Sequence, residues 1–287
     1  MDLSLIAGAF GGGVAGAAFG ALPSFIMTGV LAICGGIAAM AGANDYSVAN
    51  ITFGVFWGPH IAFAGAAAAA SFASARRKKL DSCQNTLKPL YSIDDIPTLL
   101  VGGIFGVIGF IFYTLFTTKL SFIGTDAPGA GVFFSLLVCR LVVGKTGPFG
   151  DMKVKNEVLN IKDVLKEVTV GLFLGLVIGA AGLQIQKAGI DAEQMASYPV
   201  ICFGIAAVML VFLQMGNKVP VTHHIAFPAA YGFVLTSNIF VAAVIGGLNA
   251  FLWIMACRIF NSRCDTYIDP PATVIMITVP IINLIFG

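Results

Sequence analysis

HIAFAGAAAAASFASARRKK, residues 60–79, runs sixteen positions without a fixed charge and then meets four cations in a row. A run of small apolar residues that stops at Arg76-Arg77-Lys78-Lys79 reads as a membrane helix ending on the cytoplasmic side, where basic residues collect. Its first four residues return once: His60-Ile61-Ala62-Phe63 recurs as His224-Ile225-Ala226-Phe227, 164 positions later, in a chain with three histidines. These two features, an apolar span with a basic end and a distant echo, set the reading of the rest.

Of 287 residues, 58% are apolar and 10% charged, and mean hydropathy is +0.93. Soluble domains carry about 25% charged residues, so a water-soluble globular protein is excluded and lipid is the expected partner. A net charge of +2 is too small for a nucleic-acid surface. Long apolar runs, rather than short alternating ones, select helices over a barrel. Cutting at charges, prolines and polar clusters predicts ten spans, near 3–22, 23–43, 60–75, 97–118, 130–144, 166–186, 198–215, 224–238, 239–260 and 271–287. With ten crossings, fourteen of the sixteen Lys and Arg residues fall on one side and Lys119 and Lys187 on the other. The expected topology is therefore multi-pass in the cell (inner) membrane, with the 76–96 loop inside and both termini outside. The first span lacks a basic leader segment, so it reads as a helix rather than a signal peptide. The six scattered cysteines read as small core residues, and Arg140, four residues before a span's inner end, as snorkelling.

Two further echoes pair Asp126-Ala127-Pro128 with Asp269-Pro270-Pro271, and Leu141-Val142-Val143-Gly144 with Leu284-Ile285-Phe286-Gly287, both 143 positions apart. The spacing is 21 shorter than for the histidine echo, and the basic loop 76–96 is 21 residues long. One insertion explains the change. Residues 1–144 and 165–287 thus read as two copies of a five-helix unit, joined by a cytoplasmic linker, 145–164, with 76–96 inserted in the first. Five is odd, so the second copy must be inverted in the membrane. The predicted fold class is an all-α polytopic membrane protein of about ten transmembrane helices in two inverted five-helix repeats with broken or re-entrant segments. Ammonium- and urea-conducting channels share that layout, a likeness of architecture alone.

Polar groups collect where the helical pattern breaks. Residues 44–59, 121–131, 217–223 and 262–271 mix Gly and Pro with polar and aromatic residues, and irregular backbone at membrane depth survives only when protein or a water-filled cavity covers it. Candidate pathway residues are His60, His223, His224, Asp126, Asp269, Thr125, Asn50 and Asn238. Neutral imidazole donates and accepts at once, which suits the relay of a small polar solute. Unwound carbonyls with Thr125, Asn50, Asn238 and an aspartate can also take Na+ as a coupling ion. A plainer reading makes Asp126 and Asp269 the caps of the helices that follow, with Tyr46, Trp57 and Tyr267 as headgroup anchors. Glycine runs and the Ala66–Ala70 stretch read as close helix packing.

HExxH, GxSxG and GxxxxGK[ST] motifs are absent from the sequence, and neither a cofactor nor a resident metal is expected. The sequence therefore points to a transport protein, channel-like or coupled, carrying a small polar solute between the repeats. The alternative is a membrane enzyme or assembly subunit acting on a lipid-borne group, and a third reading docks a soluble partner on the 76–96 loop. A homo-oligomer is compatible with the sequence.

Overall fold

The structure is a computed structural model that describes residues 2–43, 47–156 and 158–287, and among these every regular element is helical. Ten helices exceed ten residues: α1 Leu3–Phe19, α2 Ala21–Met40, α3 Ala62–Ala75, α4 Ile96–Thr118, α5 Ala127–Val142, α6 Ile161–Lys187, α7 Tyr198–Val208, α8 His223–Thr236, α9 Ile239–Phe260 and α10 Pro270–Phe286. Single turns at Ala192–Met195 and Val211–Gln214 extend α7. Five segments are long and apolar enough to cross a bilayer: α2, α4, α6, α9 and the extended α7. These helices follow the expected spans closely, with one shift. The first two separate at Gly20, whose φ of 97° admits only glycine readily, while Pro23 is tolerated in the first turn of α2.

Packing repeats itself along the chain. In the first half α1 lies on α4 and α3, α3 on α4, and α4 on α5; in the second α6 lies on α9 and α8, α8 on α9, and α9 on α10. Glycines set these crossings. A methyl on Gly171 would come within 2.5 Å of Gly246 O, and Gly13 and Gly102 meet in the same way between α1 and α4. The halves join along α2 with α7 and α5 with α10. At the first seam the contact is reciprocal: a Cβ on Gly29 would lie 2.9 Å from Gly204 O, and one on Gly204 2.7 Å from Gly29 O.

Small residues fill the helix crossings, while many large apolar ones face out. Ala62 to Ala70 on α3 are buried, with Phe63 and Gly65 among them, whereas Phe173, Val177, Phe240 and Val244 are mostly exposed. Without water to drive large side chains inward, helices in lipid associate through small-residue contacts, and this distribution is of that kind.

Arg140 does not snorkel. It is 1% exposed, and its guanidinium donates to Phe260 O (2.9 Å), Thr266 O (2.6 Å) and Pro148 O (3.2 Å), as well as to the Thr266 hydroxyl. The chain from 261 to 268 curls around it and replaces the water it would have reached for. Basic loop 76–96 folds back on the same end of the bundle. Leu80 and Leu90 pack under it, Gln84 donates to Asn261 O at 2.8 Å, and Arg77 pairs with buried Asp95 at 2.8 Å. That guanidinium and the Thr98 hydroxyl hold the Asp95 carboxyl well below the usual carboxylate range. The first turn of α1 and the last of α10 lie at the opposite end, since α1 ends against Lys88 and Pro89, and Asn283 reaches Gly124 beyond the end of α4. Cys83, Cys139 and Cys202 are core residues as expected, but Cys34 is exposed.

Candidate functional site

Both aspartate echoes open a helix that is short for a full crossing, 16 residues in α5 and 17 in α10. Asp126 accepts from Gly129 N at 2.7 Å and Asp269 from Ala272 N at 2.8 Å, so each is an N-cap, offsetting the positive end of its helix. The two caps are neighbours, because α5 and α10 run antiparallel and overlap at their starts: Ala272 O lies 3.3 Å from where a Gly129 Cβ would be. Both carboxylates border one narrow apolar gap of about 30 Å³.

The lining of that gap pairs off at the two sequence spacings. Asp126, Gly129 and Val132 on α5 face Asp269, Ala272 and Ile275 on α10, each 143 positions on. Pro59 and Phe63 face His223 and Phe227, each 164 positions on. Phe25, Phe53, Pro128 and Phe203 complete the wall. Rings meet edge to face here, Phe25 with Phe63 at 5.2 Å and Phe25 with Phe203 at 5.6 Å between centroids.

Wider cavities open from the gap toward the two ends of the bundle. One, about 470 Å³, reaches the basic end past Leu22 and Phe25 at the start of α2, with Trp253, Cys257 and Tyr267 on its walls. The other, about 570 Å³, opens at the far end past Ala39 and Gly42 at the close of α2, with Tyr113, Thr117 and Pro128 on its walls. Tyr113 and Thr117 precede Trp253 and Cys257 by 140 positions, and Pro128 precedes Pro271 of the first cavity by 143. The two cavities are therefore built from matching parts of the two halves.

Of the expected pathway residues, Asp126, Asp269 and His223 converge on the gap. His60 and His224 do not line it or either cavity. They are 0% and 1% exposed and stack behind the walls, His60 on Tyr113 at 4.2 Å and His224 on Trp253 at 5.5 Å. Thr125 spends its hydroxyl on Met276 O at 2.6 Å. Asn238 is an exposed N-cap of α9, accepting from Phe240 N and Val241 N, and Asn50 is exposed on the turn Ser47–Thr52. Neither asparagine reaches the gap. Two of the three expected headgroup anchors are also reassigned. Trp57 is buried and donates to Ser24 O at 2.9 Å, and Tyr267 donates to Asp269 Oδ1 at 2.7 Å; Tyr46 lies outside the described residues.

Sequence reasoning missed the phenylalanines. They come from four separate helices and a loop, and the signal that could have found two of them was Phe63 and Phe227, the last letters of the repeated tetrapeptide.

A protein family described as a family of unknown function (DUF7973) matches residues 1–169 and 166–287. Neither the curated proteins nor the solved structures give a match to this chain.

Proposed function

The chain belongs to the DUF7973 family, and we propose that it is a membrane transport protein that moves a small polar solute through the gap between two inverted five-helix halves. One observation carries this reading: cavities from opposite ends of the bundle converge on a gap whose lining residues match across the halves at the spacings of the sequence echoes. The family match in two consecutive segments and the repeated packing of α1–α5 in α6–α10 support it. In this reading a pseudo-twofold axis runs in the membrane plane, past Gly129 and Ala272 and past Gly29 and Gly204.

All ten helices cross. The 14-residue α3 and α8 complete their paths with irregular chain at 53–61 and 215–222, sheltered by protein as such backbone requires. By the charge rule the basic end is cytoplasmic, and both termini are outside the cell membrane. A gap of about 30 Å³ has room for about one water molecule, so the conformation is closed to both sides. Transport requires the phenylalanines to part toward one cavity and then the other, a carrier cycle of the inverted-repeat kind rather than an open pore.

Liposomes containing only this protein test the reading. A panel of small polar solutes should include at least one that enters saturably, and Ile275→Trp, which fills the gap, should stop it. In a cysteine-free background, Thr117→Cys and Ser262→Cys should react with an impermeant thiol reagent from opposite sides. Labelling from the same side, or no flux together with turnover of lipid, would sink the proposal.

A further inference from the structure

We infer that the solute taken by this gap is a small organic ammonium cation, which names the substrate class within the transport reading and rests on it. Two carboxylates, Asp126 and Asp269, border a gap whose wall includes no Lys or Arg. Half-charges of positive sign at the α5 and α10 N-termini offset them only in part. A carboxylate beside an apolar space is stabilised by a counter-charge, and the residues lining the gap provide none.

The rest of the wall decides what kind of cation. Hard metal cations are held by about six oxygens, yet the gap offers the two carboxylates and no hydroxyl or amide side chain. Asp269 is already engaged by Ala272 N and the Tyr267 hydroxyl, and Asp126 by Gly129 N. Side-chain chemistry therefore disfavours the Na+ that the sequence allowed. Five phenylalanines supply what a metal site would not: an aromatic lining, to which a poorly hydrated organic cation is attracted. His223 adds a further pointer. It is 5% exposed, lines the gap, and its Nδ1 is buried without a hydrogen-bond partner. As the unprotonated nitrogen of a neutral imidazole it would accept from a ligand's N–H or O–H. Methylammonium and choline bracket the class.

The test uses the whole purified chain in detergent. Thermal stability is titrated at constant ionic strength with methylammonium, choline, choline's neutral isostere 3,3-dimethylbutan-1-ol, and NaCl, since a ligand that binds only the folded state raises Tm saturably. At least one ammonium should do so and the neutral isostere should not. Asp126→Asn and Asp269→Asn keep a competent N-cap, so both should fold, with affinity falling about tenfold or more. Phe25→Leu and Phe203→Leu should each lose roughly two- to thirtyfold, the span from an exposed to a desolvated cation–π contact. Equal binding of the neutral isostere, saturation by Na+ but by neither ammonium, or unchanged affinity in both Asn variants would overturn the inference. Liposome flux separates the two proposals. Uptake of a neutral solute without ammonium binding removes the cation and leaves transport; saturable ammonium binding with no uptake of any solute leaves the cation site and removes transport.

Discussion

The starts of α5 and α10 are the same device built twice and finished differently. Each begins with an aspartate cap and a proline in its first turn, and each carries a polar residue 14 positions after the cap that ties it to the chain leading into the other helix. In α5 that residue is Arg140, bound to Thr266; in α10 it is Asn283, whose amide donates to Gly124 O at 2.8 Å and which takes the Tyr231 hydroxyl. Asp269 is held by two donors and is 5% exposed, whereas Asp126 is half-buried with Gly129 N. The backbone frame is shared and the chemistry is not. The two cavities are thus lined by matching sequence positions on helices whose far ends are fastened differently.

Three experiments press on that difference. The largest effect is expected at Arg140→Met, which strips donors from Thr266 O, Phe260 O and Pro148 O; at about 1–3 kcal/mol for each buried group left unpaired, the loss should reach at least about 3 kcal/mol. Asn283→Leu unties two partners that are only part-buried and can turn to water, so each should cost no more than an ordinary hydrogen bond, about 0.5–1.5 kcal/mol, and the total should stay at about 1–3 kcal/mol. Denaturant titration in detergent reads both, and equal losses would break the comparison. Next come the caps. Asp126→Ala should cost about 1 kcal/mol, as for an ordinary N-cap, and Asp269→Ala roughly 1 kcal/mol more, because the Tyr267 hydroxyl also loses its acceptor. A reversed order would mean that Asp126 holds partners beyond its cap.

The smallest effect lies in the loop that the second half lacks. Asp95 has its carboxyl held low by Arg77 and Thr98, so in the folded state it stays ionised at a pH where the unfolded chain has begun to take up the proton. Its stabilising contribution is complete above about pH 4, the unfolded carboxylate value, and is lost as pH falls from there through the lower folded value. Asp95→Asn should flatten that acid limb of the stability curve while leaving neutral-pH solute flux unchanged. An acid limb identical in the variant would show that other carboxylates set it.

Much of this was legible in the chain. The boundaries of α9 fall on the predicted ones, Asp126 and Asp269 cap their helices as the Asp-x-Pro pattern suggests, and the two echo spacings reappear in the residues that face one another across the gap. Histidines were the weak point. Adjacent residues on a helix point about 100° apart, since 3.6 residues make a turn, so of His223 and His224 only one can face a given cavity, and a repeated tetrapeptide does not say which. Arg140 was read as reaching for water because the sequence does not show that residues 261–268 return to wrap it.

Hydropathy, charge placement and periodicity are local or nearly local properties, and they were enough to predict an all-helical chain with helices long and apolar enough to cross a bilayer; the proposal of two related halves rests on the sequence echoes. Convergence is not local. Phe25, Phe53, Phe63, Phe203 and Phe227 meet around two carboxylates only because glycine crossings and the two seams bring distant helices together at fixed angles, and turning one of those helices by a single residue's step, about 100°, would carry its ring away from the gap.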